Sequence, residues 1–96
     1  MITSKQRAYL RGLGNPLEPI LHIGKDGISS NLIRQADDAL TARELIKGTV
    51  LQNSPITGRE ALDQLCEAVG ADPVQTVGNR FLLYRPNPEK PVIELP

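Results

Sequence analysis

Ile23-Gly24-Lys25-Asp26-Gly27-Ile28-Ser29 joins a short apolar run to a segment with helical periodicity, and the fold turns on how this junction is read. Two glycines three apart let the chain reverse and let a partner's backbone come close. The helix that follows opens with free N–H groups aimed at the same spot, and a helix start behind a glycine loop suits a phosphate group. Lys25 adds a mobile positive charge. Asp26 opposes it, so the loop's hold on an anion has to come from backbone N–H groups and neighbouring bases. A plain turn between strand and helix uses the same residues, so the loop acquires a function only from its surroundings.

Upstream, Pro19 to Ile23 places Ile20, Leu21 and Ile23 around His22, a length and flank pattern that predicts a buried strand. Before it, Thr3 and Gln6 have the form of a capping box, and Ala8, Tyr9, Leu10 and Leu13 form an apolar stripe to about Leu13. Lys5, Arg7 and Arg11 fall off that stripe, with Arg7 and Arg11 four apart. Gly12, Gly14 and Pro16 end the helix.

Downstream, Ser29 or Ser30 caps a second helix with Leu32, Ile33, Ala36, Ala39 and Leu40 at the 3.6-residue period. Glu44 to Leu51 then reads as a strand around Lys47. Strand, helix, strand in this order gives a parallel pair joined by a right-handed crossover. Asn53-Ser54-Pro55 is a turn. Thr57 and Glu60 form a second capping box before a helix with Ala61, Leu62, Leu65, Cys66 and Val69 inward and Gly70 at its end. Val74 to Val77 and Arg80 to Tyr84 flank Gly78-Asn79, a pair suited to a tight hairpin. Pro86, Pro88, Pro91 and Pro96 oppose regular structure in a tail that is expected to lie along the surface or move freely. The organisation is one domain over residues 1–85 and a Pro-rich tail over 86–96.

Ninety-six residues, 40% hydrophobic and 23% charged, fit one small core. The net charge is zero but unevenly spread. Up to residue 36, Lys5, Arg7, Arg11, Lys25 and Arg34 against Glu18 and Asp26 leave a balance of +3, whereas residues 60–72 carry Glu60, Asp63, Glu67 and Asp72 with no base. Such poles allow one basic face on a neutral chain. A single cysteine rules out an internal disulfide and fits a reducing compartment. Met1 leads directly into a polar, basic segment, and no apolar run approaches the roughly 20 residues of a membrane span. A cytoplasmic protein with no membrane association is expected.

His22, the only histidine, has no second ligand for a metal and no nucleophile beside it, so its reading is structural. Cys66 lies on the apolar stripe of the third helix, where free cysteine acts as a small hydrophobe. No enzyme, cofactor or metal is expected.

The whole chain resembles the CRM domain, the RNA-binding module of chloroplast splicing factors and bacterial YhbY-like ribosome-associated proteins. The resemblance rests on Thr3-Ser4-Lys5-Gln6-Arg7 with Leu10-Arg11, on Pro19 and Ile23 to Gly27, on Glu44-Leu45-Ile46-Lys47, and on Val74 to Asn79 with Leu83-Tyr84-Arg85. It covers residues 2 to 85. The closing Ile93-Glu94-Leu95-Pro96 is similar to single-domain bacterial members. Four positions depart from the common pattern: Asn15 and Pro16 stand where many members have histidines, Arg43 where many have histidine, and Asp26 where asparagine is common. The resemblance implies an α+β fold in the order α-β-α-β-α-β-β, with a small four-stranded mixed sheet packed by helices, similar to the C-terminal domain of translation initiation factor three. It also implies binding to ribosomal RNA in a precursor of the large ribosomal subunit, by a monomer that assists assembly. On that analogy Gly24, Lys25, Asp26 and Gly27 contact the RNA backbone, supported by Lys5, Arg7, Arg11, Lys47, Arg80 and Arg85.

The residues themselves favour one form of that function. Tyr9, Phe81 and Tyr84 are the only aromatics, too few for a sheet that stacks successive bases, so phosphate and shape should outweigh sequence in recognition. A general structured-RNA binder or chaperone outside the ribosome and a protein-interaction domain are the alternatives. The last requires a large exposed apolar patch, and the periodic stripes leave few apolar residues to build one.

Overall fold

A computed structural model describes residues 2–96 and contains three helices and one four-stranded mixed sheet. The order is α1 (Ser4–Gly14), β1 (Leu21–Ile23), α2 (Ser30–Arg43), β2 (Leu45–Val50), α3 (Gly58–Val69), β3 (Asp72–Val77) and β4 (Arg80–Tyr84). This is the expected α+β order. Both capping boxes form: Thr3 Oγ1 accepts from Gln6 N at 3.1 Å while Gln6 Oε1 accepts from Thr3 N at 3.0 Å, and Thr57 and Glu60 repeat the exchange. Ser29, not Ser30, caps α2, its Oγ accepting from Leu32 N at 3.2 Å. Gly70 closes α3 in the left-handed region.

Across the sheet the strands run β1-β2-β4-β3, with β1 parallel to β2 and the other pairs antiparallel. The β1-α2-β2 unit is therefore the expected parallel pair. Helices α2 and α3 cover one face, where Leu21, Ile23, Ile46, Val50, Phe81 and Leu83 meet Leu32, Ala36, Leu40, Ala61, Leu62, Leu65 and Cys66. Its depth pushes the Cys66 thiol up to about 12 through burial first, with Asp63 and Asp72 adding to it. Cys66 should therefore react with an aromatic disulfide reagent at pH 8 only as fast as the fold opens; rapid labelling of native protein would contradict this placement.

The other face carries a smaller cluster, in which Leu45, Val74, Leu82 and Tyr84 pack with Ile2 and Leu10 and are overlain by Ile93 and Leu95 of the tail. The tail has no helix or strand and lies along the sheet. Its N–H groups at Asn87, Val92 and Ile93 all donate to the carboxylate of Glu44, which is buried just before β2.

Helix α1 corrects one expectation. Tyr9 and Leu13 are 43% and 38% exposed and Ala8 is exposed too, so the stripe built on them does not face the core. The inward face is Arg7, Leu10, Arg11 and Gly14, also at helical spacing. Leu10 and Gly14 are buried, while Arg7 and Arg11 lie half-buried beside them; the methylene stem of an arginine tolerates such a position because the charged head can still reach polar partners.

Candidate functional site

The parallel pairing of β1 and β2 decides which loops share an end of the molecule. Leu51 N donates to Ile23 O and Val50 N to Asn79 O, each at 2.8 Å, so the chain leaves β1 and β2 and turns between β3 and β4 at one end. Helices α2 and α3 both begin there, Gly58 of α3 standing close against Gly78.

At this end Gly24 to Gly27 form a turn closed by Gly27 N donating to Gly24 O at 3.1 Å, with Lys25 and Asp26 at the exposed corners. Gly27 has φ +61°, a conformation that favours glycine. Gly24 is different: its backbone does not lie in the left-handed region, and an added Cβ would meet only Asn53 at ordinary contact distance. His22, Gly24, Lys25, Asp26, Gly27 and Asn53 are among the residues that line a cleft of about 410 Å³ at the start of α2. No acidic residue occupies the first turn of α2. The helix dipole and its free N–H groups are therefore opposed there only by Asp26.

The other basic residues named from the sequence are dispersed. Arg80 opens β4 on the loop end, exposed. Lys47 is in mid-strand, 7% exposed, and its Nζ donates to Asn15 O at 2.9 Å, so it satisfies a carbonyl left free at the end of α1. Arg7 Nε donates to Pro73 O at 3.2 Å, near the start of β3 and so at the opposite end of the sheet. Lys5 precedes it on the exposed side of α1, and Arg11 follows it one turn nearer the loop end. Arg85 sits beyond β4 at the far end, where it donates to Asp37 Oδ1 at 2.6 Å, Val69 O at 2.9 Å, Asp37 O at 3.0 Å and Thr41 Oγ1 at 2.9 Å. These bonds tie β4 to α2 and α3 and engage four of the five guanidinium N–H donors.

Two arginines absent from the sequence-based site lie at the loop end. Arg34 is exposed within the first two turns of α2, and Arg59 within the first turn of α3, where Asp63 pairs with it at 3.3 Å. The parallel strand order carried the signal for both, because it puts the starts of the crossover helix and of the helix after β2 on one side. Among the described residues, the ion pairs are Arg59–Asp63 and Arg85–Asp37, so Lys25, Arg34 and Arg80 have no carboxylate partner there.

A larger cleft, about 600 Å³, lies between the end of α1, the segment leading to β1, and the tail. Leu13, Pro16, Leu17, Ile20 and Val92 line it, with Glu18 and Arg43 also present. An exposed apolar surface therefore exists where the periodic stripes gave no reason to expect one, because Leu13 faces outward and Leu17 and Val92 lie outside every regular element. No helix among the described residues is long and apolar enough to cross a membrane.

Comparison with known proteins gives a consistent picture. The family model of the CRS1 / YhbY (CRM) domain matches residues 2–85. "Probable RNA-binding protein YqeI" of Bacillus subtilis is 42% identical over 96 residues, covering 100% of both chains. A Haemophilus influenzae protein named "RNA-binding protein" is 32% identical, covering 99% of this chain and 95% of its own. The solution structure of the hypothetical protein SAV1595 from Staphylococcus aureus superposes with a TM-score of 0.83 at 46% identity, over the full length of both chains.

Proposed function

The chain belongs to the CRS1 / YhbY (CRM) domain family, and from that membership we propose that it binds RNA, as its relatives' names state of them, through the glycine-loop end. Backbone N–H groups of Gly24 to Gly27 and of the start of α2 take a phosphate. Lys25 and Arg34 hold the neighbouring ones, and Lys5 and Arg11 extend the basic track along α1. Asp26 stands at the corner of the turn and limits the affinity of the loop. The RNA is ribosomal, in a precursor of the large subunit in the cytoplasm, and a monomer assists its maturation without catalysing a reaction.

Gly24 carries this reading. Gly27 is required by its own backbone, but neither conformation nor crowding requires glycine at position 24. A glycine that the fold can do without, at the mouth of a cleft beside a helix start, suits the close approach of a ligand's backbone. Gly24→Ala is therefore expected to leave stability unchanged or raise it by up to about 1 kcal/mol, while weakening RNA binding. Lys25→Glu should weaken binding further with stability within about 0.5 kcal/mol of wild type. With about four phosphates neutralised, log affinity should fall against log salt with a slope near −3. Full affinity in Gly24→Ala, or a slope near zero, would remove the loop from the interface.

Sedimentation of cell extract at low and high salt tests the ribosomal part. The protein should travel with large-subunit precursors and wash off with salt. The apolar cleft beside α1 favours a second reading, a contact with a ribosomal protein, which predicts association that survives RNase treatment.

A further inference from the structure

One row of side chains crosses the face of the sheet that α1 and the tail leave open. The register places His22 beside Thr49, Thr49 beside Arg80, and Arg80 beside Val77, so the row runs through β1, β2, β4 and β3 in turn. His22 and Arg80 are exposed, and Val77 is 63% exposed, so no element of the chain covers the row. At one end His22 borders the glycine-loop cleft. Towards the other end Arg80 and Val77 border a second cleft, of about 170 Å³, whose remaining lining is Asn15, Lys47, Gln75, Phe81 and Leu82.

This second cleft has an unusual set of groups for its size. Its volume is below the roughly 300–1,000 Å³ of sites for drug-sized ligands, which suits one small planar group. Lys47 is a buried ammonium with no carboxylate within ion-pair distance among the described residues. Of its three donors one is used, on Asn15 O. A charge so placed favours an acceptor entering the cleft. Gln75 Nε2 donates to Asn15 Oδ1 at 3.4 Å, which leaves Gln75 Oε1 as an acceptor and Asn15 Nδ2 as a donor side by side. Leu82 and Val77 supply apolar walls, and the guanidinium of Arg80 is a planar cation at the mouth.

Apolar walls, a planar cation, paired amide groups and a buried ammonium together match a nucleobase rather than a phosphate. Building on the RNA-binding reading above, we propose that this cleft seats one unstacked base of a strand whose phosphate lies at the glycine loop. Arg80 stacks on its face, and Asn15, Gln75 and Lys47 meet its edge. His22 and Arg80 stand two strand spacings apart, about 10 Å, a gap that a short single-stranded stretch spans. The scarcity of aromatics then fits one stacked base held by arginine, not a series of bases along the sheet.

The test compares poly(A) with inorganic polyphosphate as ligands, since the second offers charge without bases. Arg80→Lys keeps the charge and loses the plane. It should weaken poly(A) binding about tenfold and leave polyphosphate binding and the poly(A) salt slope unchanged. Gln75→Ala should act in the same direction, also on poly(A) alone. Equal losses on both ligands, or no loss on either, would make Arg80 a phosphate contact and overturn the base site while leaving RNA binding in place. Failure of the wild-type protein to bind either polymer or any ribosomal RNA would instead overturn the RNA reading itself.

Discussion

Glu44→Ala is expected to destabilise the fold by about 3–5 kcal/mol, read as the shift of a urea unfolding midpoint. Glu44 ends α2 and precedes β2, at φ +66° and ψ −40°, a positive-φ conformation that side chains rarely adopt. Its N–H donates to Leu40 O at 2.8 Å and its carbonyl accepts from Arg85 N at 2.9 Å, so the backbone is fixed from both sides. The carboxylate is 1% exposed. Oε1 accepts from Val92 N at 2.7 Å and Ile93 N at 2.6 Å, and Oε2 accepts from Asn87 N at 2.5 Å. Alanine leaves three tail N–H groups without an acceptor, at about 1–3 kcal/mol for each that stays buried. It also frees Ile93 and Leu95 to leave the cluster around Leu45 and Tyr84. Glu44→Gly loses the same bonds but relaxes the positive φ, so it should be less damaging than alanine by about 0.4–1 kcal/mol. A loss below about 1 kcal/mol in the alanine variant would show that the tail is not held by this carboxylate.

The same residue gives the protein a distinctive acid response. Burial alone would raise the Glu44 carboxyl, but the N–H donors of Asn87, Ile93 and Val92 outweigh it and hold the group below the ordinary carboxylate value near 4.5. The unfolded chain therefore binds the proton more readily than the folded one, and stability rises with pH where the two differ. The contribution of Glu44 is complete above about 4.5 and is lost as pH drops through the native value. Consequently the stability gap between wild type and Glu44→Gln should be wide at neutral pH and narrow in acid. A gap of constant width would mean that the charge of the carboxylate is not what the tail is bound to.

Legibility followed the distance over which each feature is determined. Thr3 with Gln6, Thr57 with Glu60, and Gly78-Asn79 act within a few residues of chain, and the sequence reading found all three. Gly24 to Gly27 belongs with them, because glycine spacing marks a turn locally. Helix α1 was misjudged because two stripes share its sequence, and periodicity ranks Tyr9 and Leu13 above Arg7 and Arg11 although arginine stems can cover apolar surface. Glu44, Lys47 and Arg85 find their partners far along the chain: the tail at 43 to 49 residues, Asn15 at 32, Asp37 at 48. Read locally, Lys47 and Arg85 are charges free to meet a ligand, and nothing near Glu44 shows its partner. Once the sheet is assembled, Arg85 is occupied within the fold and Lys47 partly so, whereas Arg34 and Arg59 become candidates because two helices start beside the loop.

Gly48→Val is the other substitution expected to be severe, and here two physical effects point in opposite directions. Gly48 is in the interior of β2, where valine is favoured by strand propensity and glycine weakens the strand. That preference spans about 1 kcal/mol in all. Phe81 is its direct partner on β4, 1% exposed in the main core, and its ring lies over the Gly48 Cα, so that any Cβ would collide with it. The ring cannot simply swing away, because Leu21, Ile23 and Ala61 belong to the same closely packed cluster. Overpacking of this kind costs about 1–3 kcal/mol, so alanine should destabilise within that range and valine at or beyond its upper end. If the ring is the cause, Phe81→Leu should make Gly48→Ala less costly than it is in the wild-type background, a coupling of about 0.5–3 kcal/mol in a double-mutant cycle. A neutral or stabilising Gly48→Val would mean that strand propensity outweighs the ring. In variants that remain folded, RNA affinity should stay near wild type, because Gly48 faces the helices while the proposed base cleft lies on the opposite face of β2.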